Sequence, residues 1–303
     1  MSQQAEHRLL DLRAMMAMEH LRFTTRYRIE GAFSGRHESR QQGGAGEFVD
    51  YREYVGGEDL RRLDWKMLAR SGRAYVRLFQ DETNLVCTIA IDASGSMLFG
   101  KSSGYPGRDT KLQYVQFLAT ALSYVIGRGQ DQVGFAVLGQ RLLHYLPPGS
   151  TQSHLNRIYG AIEHIEPRPT TRMAEALREL FERSSRRGVL VLLSDFLMED
   201  FDQVLSAIRL FRHRHWEVLA LHVVHPLEER MPEGTAFRFE GLEDEGIVDC
   251  SPAELANEYR VRFNSHLEAV RSSVLASGCE YKRVSTAISY LKTLRGFLVE
   301  RSG

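Results

Sequence analysis

The chain contains few of the residues that mark cross-linked or membrane-spanning proteins. Its 303 residues include three cysteines, eight prolines and two tryptophans. The cysteines are far apart and none forms a Cys-x-x-Cys pair, which argues against a disulfide scaffold and a zinc clip. No apolar run approaches the roughly 18 residues that a membrane span requires. The first twenty residues carry charges throughout and lack the apolar centre of a signal peptide. We therefore expect a cytoplasmic protein without a membrane span.

An excess of charge of either sign is also missing. Lys plus Arg number 39 and Asp plus Glu number 39, so the overall charge favours neither nucleic acid nor an anionic membrane as a partner. Hydrophobic residues make up 43% and charged residues 26% of the chain, which is typical of a soluble globular protein. The length fits one large domain, or one domain with sizeable additions.

Apolar runs alternate with amphipathic stretches from residue 85 onwards. Runs typical of strands buried on both faces cover residues 85–91, 132–138, 189–195 and 217–224. Helical stripes cover residues 111–127, 153–165, 173–187 and 201–214. This alternation predicts an α/β fold with a doubly wound, mostly parallel sheet of the Rossmann type. A C-terminal addition is predicted as a hairpin at 236–250, a long helix from 252, a strand at 279–285 and a helix at 287–301.

Residues 1–84 are predicted to form an N-terminal extension that packs on the sheet, and residues 85–303 the α/β domain with its C-terminal addition. Within the extension, the glycine- and serine-rich stretch 34–57 is predicted to be a loop, and 74–79 a strand. Arginines lie among acids here, as at Arg52, Arg61, Arg62 and Arg70. They could face an acidic partner or nucleic acid, or form ion pairs that clamp the segment to the sheet. An aromatic anchor at Trp65 among guanidinium groups favours the clamp.

The stretch DASGSMLFGKS, residues 92–102, has two incompatible interpretations. From Gly95 it matches a phosphate-binding loop, GSMLFGKS. That motif requires a helix to begin at its Gly-Lys-Ser, so that backbone N–H groups face the phosphates. Here the next residues are SGYPGRD, and helical periodicity resumes only near Lys111. Lys101 is therefore predicted to be an exposed loop residue.

From Asp92 the same stretch is Asp-x-Ser-x-Ser, which could hold a cation. Asp92 follows one apolar strand and Asp195 ends another, and ligands of open parallel sheets bind beyond the carboxyl ends of strands. Ser94 and Ser96 could add hydroxyl oxygens, which suit Mg²⁺. Serines also cap turns, so the residues alone leave a cation site and a simple turn equally open.

The acids also raise the question of catalysis. No Gly-x-Ser-x-Gly elbow is present, and no histidine or lysine is placed by the sequence to act as a base beside Asp92 and Asp195. We therefore predict a protein that is not an enzyme. A metal-dependent hydrolase or nucleotidase that uses the crevice at Asp92 and Asp195 is the alternative.

DASGSM after an apolar strand, followed by PTTRMAEAL and VLLSDF, resembles a von Willebrand factor A domain. The resemblance implies a metal-ion-dependent adhesion site that binds Mg²⁺, or Mn²⁺ or Ca²⁺ in its place, and engages a partner's carboxylate. The residues implied as ligands are Asp92, Ser94, Ser96, Thr171 and Asp195. Thr170 competes with Thr171 for the threonine position.

A longer resemblance covers about residues 30 to 300. GEFVDYREYVGGEDLRRLDWKMLAR, together with DASGSM, LLSDF and GLEDEG, resembles a bacterial family called domain of unknown function 58. Members are commonly encoded beside MoxR-type AAA ATPases. The resemblance implies a non-catalytic, metal-dependent protein-binding adaptor that partners such an ATPase in a chaperone-like assembly.

Overall fold

The structure is a computed structural model that describes Leu9, Met16 and residues 21–24, 47–56, 63–80, 85–100, 110–184, 187–234, 236–243 and 245–302. Its contacts divide the chain into two compact units. One comprises Met1–Arg26 with Leu85–Gly303, and the other Tyr27–Asn84. The predictions for Lys101, Arg61 and Arg62 concern residues outside the described part.

The smaller unit is built on a two-stranded antiparallel sheet. Strand β1 (Glu47–Glu53) pairs with β2 (Tyr75–Gln80), and helix α1 (Trp65–Ser71) lies between them in the chain. The carboxylate of Asp64 caps α1 by accepting the N–H groups of Lys66 and Met67 at 2.9 and 3.1 Å. This cap, which satisfies donors at the first turn, fixes where the helix begins.

Two expectations for this segment are wrong. The predicted loop 34–57 contains strand β1, whose partner lies more than twenty residues further along the chain, so local composition could not reveal the pairing. The side chain of Trp65 is 59% exposed and so is not a buried anchor. The arginine clamp itself stays a prediction.

The larger unit contains a six-stranded sheet. Its strands are β3 (Val86–Asp92), β4 (Gln132–Leu138), β5 (Leu142–Gly149), β6 (Val189–Ser194), β7 (Glu217–Val224) and β10 (Glu280–Ser285). Their order is β10-β7-β6-β3-β4-β5, and only β5, at one edge, is antiparallel to its neighbour. A separate hairpin pairs β8 (Phe237–Glu240) with β9 (Ile247–Cys250). The predicted α/β class with a mostly parallel sheet is confirmed.

Helices cover both faces of this sheet. They are α2 (Lys111–Arg128), α3 (Gln152–Glu163), α4 (Met173–Arg183), α5 (Phe201–His213), α6 (Pro252–Ala276) and α7 (Tyr290–Ser302). Side chains alternate along the strands, so Ile89 and Ile91 join one core with α2, α3 and α7, while Ala90 joins the other with α4, α5 and part of α6. Both faces of β3 are therefore buried, as its continuous apolar run predicts.

An N-terminal segment belongs to the first of these cores. Leu9, Leu21 and Phe23 are buried in it, and the ring of Phe23 lies 6.0 Å from that of Phe297 on α7. Thr24 donates its hydroxyl to the carbonyl of Arg301 at 2.6 Å and accepts the Nε–H of Arg301 on its own carbonyl at 2.8 Å. This segment and α7 are therefore packed together within the larger unit.

Among the helices that the structure describes, none combines the length and the apolar character of a membrane span. The longest of them, α6, carries charged and polar residues throughout its 25 residues.

Candidate functional site

The candidate site lies at the point in the sheet where the strand order reverses. From β3 the chain moves to β4 and β5 on one side, and then returns to β6, the other neighbour of β3, and continues outward to β7 and β10. The carboxyl ends of β3 and β6 flank this switch point, which is where ligands of open α/β sheets bind. Asp92 is the last residue of β3 and Asp195 follows the last residue of β6, and both are buried.

The carboxylate of Asp92 is held by hydrogen bonds from both strand ends. Its Oδ1 accepts the N–H of Ser94 at 2.9 Å, and its Oδ2 accepts the hydroxyl of Ser194 at 2.6 Å. The Ser194 oxygen in turn accepts the N–H of Phe196 at 2.9 Å. These bonds fix the carboxylate without neutralising it.

Two serine hydroxyls lie beside the acids. The Oγ atoms of Ser94 and Ser96 are 3.0 Å apart, and the Ser96 side chain makes a small contribution to the lowered pKa of Asp195. Ser96 lies in a short 3-10 helix that spans only Gly95–Leu98. The helix that follows, α2, begins at Lys111 and is capped by Thr110, whose hydroxyl oxygen accepts the N–H of Gln113 at 3.0 Å. The predicted start of this helix, well beyond the Gly-Lys-Ser, is confirmed.

A buried lysine completes the polar cluster. The ammonium of Lys111 lies 2.6 Å from Oδ2 of Asp195 and also contacts a carboxylate oxygen of Glu228, which follows β7. Lys111 is fully buried. The sequence does not indicate this neighbour of the acids, because it is the start of helix α2 at Lys111 that brings the ammonium to the end of β6.

The charges of this cluster shift its pKa values in opposite directions. Burial, with a further contribution from the negative charge of Asp195, raises the pKa of Asp92 to about 7. Burial alone would raise the pKa of Asp195 too, but the Lys111 ammonium reverses this and holds it below its usual value. Burial would lower the pKa of Lys111, yet Asp195 and Glu228 together raise it. Lys111 is therefore a fixed positive charge at neutral pH and cannot act as a base.

The loop that carries the predicted threonine is tied to the end of β3. The N–H of Arg168 donates to the carbonyl of Ala93 at 2.8 Å, and the N–H of Arg172 donates to that of Gly139 at 3.0 Å. Thr171, just before α4, is half-buried, whereas Thr170 is exposed and its hydroxyl oxygen accepts a hydrogen bond from Gln140.

The turn between β8 and β9 contacts the Asp-x-Ser-x-Ser loop that follows β3. Oε1 of Glu243 accepts the N–H of Ser96 at 2.8 Å. The carbonyl of Leu242 lies so close to Gly95 that any side chain at position 95 would collide with it. This contact requires glycine at position 95, since only hydrogen on its Cα lets the two backbones approach.

The donor set fits a hard cation. Among the described residues, no three His, Cys, Asp or Glu side chains are grouped to hold a metal ion, so a metal here would depend on hydroxyl oxygens. Those oxygens are present, and of the three buried carboxylates of the cluster, Asp195 and Glu228 pair with the Lys111 ammonium while Asp92 accepts hydrogen bonds from Ser94 and Ser194. A divalent cation would offset the remaining negative charge, and oxygen ligands suit Mg²⁺.

Sequence reasoning missed Lys111, Glu228 and Glu243. One signal for Lys111 was available, since a cation at the first position of a helix opposes the helix dipole and so implies nearby acids. Glu228 stands four residues beyond the end of β7 with no pattern around it, and Glu243 lies 147 residues from Ser96. Neither position along the chain indicates that the residue contacts the site.

Comparison with known proteins finds relatives of nearly the same length. The chain is 25% identical over 297 residues to the Uncharacterized protein Rv1480 of Mycobacterium tuberculosis, covering 96% of this chain and 90% of that protein. The same values hold for the Uncharacterized protein Mb1516 of Mycobacterium bovis.

Among solved structures, the conserved hypothetical protein BatB from Bacteroides thetaiotaomicron is similar with a TM-score of 0.46 and 19% identity, covering 72% of this chain and 98% of that one. A von Willebrand factor type A structure from Catenulispora acidiphila gives a TM-score of 0.42 and 13% identity, covering 76% and 44%. The sequence profile of the family described as "Protein of unknown function DUF58" matches residues 50–273, which is more than half of the chain. The chain therefore belongs to the DUF58 family, as its sequence motifs predict.

Proposed function

We propose that the protein is a non-catalytic adaptor that binds a divalent cation at the switch point and, through it, a carboxylate of a protein partner. The observation that carries the proposal is the placement of Asp92 and Asp195 at adjacent strand ends, with the hydroxyls of Ser94 and Ser96 beside them. Lys111 pairs with Asp195, yet the negative charge of Asp195 still raises the pKa of Asp92, so a divalent cation between the two acids would relieve the remaining repulsion. Mg²⁺ is the cation that this set of oxygens suits, and Mn²⁺ and Ca²⁺ share its preference for oxygen ligands.

The residues proposed as ligands are Asp92, Ser94, Ser96, Thr171 and Asp195. Thr171 is preferred to Thr170 because it is half-buried, whereas Thr170 is exposed and already bonded to Gln140. Asp195 would be shared between the ion and Lys111. Hydroxyl ligands are neutral, so the bound ion would keep positive charge with which to attract a carboxylate from outside.

An adaptor is favoured over a hydrolase by the state of Lys111. Its raised pKa keeps it protonated between two carboxylates, so it supplies charge rather than a base. The ion pairs of Lys111 thus favour binding over the alternative chemistry at the Asp92 and Asp195 crevice, because Lys111 is not available there as a base.

Adding Mg²⁺ or Mn²⁺ should stabilise the fold, by about 2.7 kcal/mol at a hundredfold excess over Kd. Thermal melts with chelator and with titrated metal measure this gain. Ser94→Ala and Thr171→Ala should each weaken it, because each removes one neutral ligand, while leaving the metal-free melting temperature nearly unchanged. Thr170→Ala is the matched control and should respond to metal as the wild type does. A wild type whose melting temperature ignores millimolar metal would contradict the site.

The family resemblance makes a MoxR-type AAA ATPase the proposed partner. A tagged full-length chain should retain such an ATPase encoded in the same genome when Mg²⁺ is present and lose it when a chelator is added. Ser94→Ala should reduce the retained amount, and Thr170→Ala should not. Retention that is the same with chelator would separate the partnership from the metal and overturn the metal-dependent part of the proposal.

A further inference from the structure

The acidic turn between β8 and β9, described at residues 241–243, 245 and 246, contacts the Asp-x-Ser-x-Ser loop through Leu242 and Glu243. Glu243 accepts the N–H of Ser96 at 2.8 Å, and the carbonyl of Leu242 packs against Gly95. The turn has a defined shape, because Gly241 donates its N–H to the carbonyl of Gly246 at 2.8 Å and Gly246 has φ of +87°. The N–H of Glu243 is also bonded to the carboxylate of Glu245 at 2.7 Å.

Little apolar packing holds this hairpin in place. Its two strands have four residues each, and the side chains of Phe237, Ile247 and Val248 are 38%, 61% and 58% exposed. An isolated two-stranded hairpin is only marginally stable in water, and segments with few buried contacts open at low free-energy cost. The contacts with Gly95 and Ser96 therefore help to hold the turn in place. The turn can move away from this loop without disrupting the core.

In the proposed function an outside carboxylate must approach the loop that Glu243 already contacts. Oε1 of Glu243 accepts the backbone N–H of Ser96, and the hydroxyl of Ser96 is 3.0 Å from that of Ser94. Glu243 also places a carboxylate beside the loop that carries Ser94 and Ser96. A cation at these hydroxyls would attract that carboxylate, so occupancy of the site by metal should strengthen the contact.

We infer that the segment carrying Leu242 and Glu243 is an internal ligand, and that the class of partner recognised by the site is a glutamate carried on an acidic turn that must displace Glu243. The inference rests on the proposed adaptor function. Glu243 is then the group with which a partner competes, and the partner's contact is a carboxylate of the same kind.

The test uses the full-length chain, with Glu243→Gln as the variant and Glu240→Gln as its control. Glu240 is exposed on the same hairpin, so both changes remove one charge from it. The probe is a fluorescent peptide of residues 238–248, RFEGLEDEGIV, whose anisotropy is followed in Mg²⁺. The Glu243→Gln chain should bind this peptide at least tenfold more tightly than the wild type or the Glu240→Gln chain. The same peptide with glutamine at the position of Glu243 should lose the binding.

Hydrogen exchange in metal-free protein is the second measurement. The amide of Ser96 should exchange at least several-fold faster in Glu243→Ala, which removes the oxygen that accepts its N–H, and at the wild-type rate in Glu240→Ala. Any one of three results would overturn this inference and leave the proposed function standing. They are unchanged exchange at Ser96, equal peptide binding to the wild type and the variant, and no peptide binding to a variant that is still stabilised by metal. A wild type and variants that all ignore millimolar metal would instead overturn the proposed function on which it rests.

Discussion

Replacing Lys111 by methionine should destabilise the folded chain by about 3–5 kcal/mol at neutral pH, since breaking a buried ion pair leaves uncompensated charge in the interior. The ammonium is fully buried between Asp195 and Glu228, and methionine fills a similar volume without the charge. Urea denaturation at pH 7 measures the change in the free energy of unfolding.

Two further variants separate charge from packing at this position. Lys292→Met, on the exposed surface of α7, should change stability by no more than about 0.5 kcal/mol. Adding Asp195→Asn to Lys111→Met should recover part of the loss, because it removes one of the two carboxylates left without a partner. A cost below about 1 kcal/mol for Lys111→Met would show that the cluster is not a buried charge network.

Asp92→Asn should stabilise the protein at pH 8 in the presence of a chelator, by about 2–4 kcal/mol. Burial and the charge of Asp195 raise the pKa of Asp92 from 3.8 to about 7, and each unit of such a shift corresponds to about 1.4 kcal/mol. Because the folded state holds the proton more tightly, this contribution to stability is present below pH 4 and is lost as pH rises towards 7. At pH 8 the wild type bears the cost of an ionised, buried Asp92, and the asparagine variant does not.

The measurement is unfolding of both proteins at pH 4.5 and pH 8, each with chelator. The advantage of Asp92→Asn should be large at pH 8 and small at pH 4.5, and Asp202→Asn, an exposed acid on α5, should show no such difference. Asp195 acts in the opposite sense, since its lowered pKa gives stability that is lost only below about pH 4. An asparagine variant that is less stable than the wild type at pH 8 would contradict the assigned shift.

The central sheet could be predicted because its strands are continuous apolar runs. Residues 132–138 and 217–224 were predicted as strands and are β4 and β7 with those bounds. Burial on both faces imposes that pattern locally, so it can be read without knowing any neighbour. Strand β1 could not be predicted in this way, because its partner β2 lies beyond a helix and a stretch of mixed polar residues.

The sequence predicts only those residues of the candidate site that lie at the ends of apolar strands. Asp92 and Asp195 each end an apolar run, but their proximity depends on β3 and β6 being neighbours, which follows from the order of the sheet. The burial of Lys111 depends on acids from two other loops. The contact of Glu243 with Ser96 depends on where a polar hairpin rests. Such contacts have no local periodicity, and tertiary structure alone establishes them.

The pairing of Thr24 with Arg301 has a consequence for how the chain is made. These residues are separated by 277 positions, and Phe23 shares a core with Phe297. A ribosome adds roughly 5–20 residues each second, so the segment at residues 21–24 emerges well before its partners on α7 exist. That corner of the core can close only after α7 has been made, when the long stretch of chain between the two segments is brought together. Until then, apolar side chains of the first segment stay open to chaperones or to unwanted contacts.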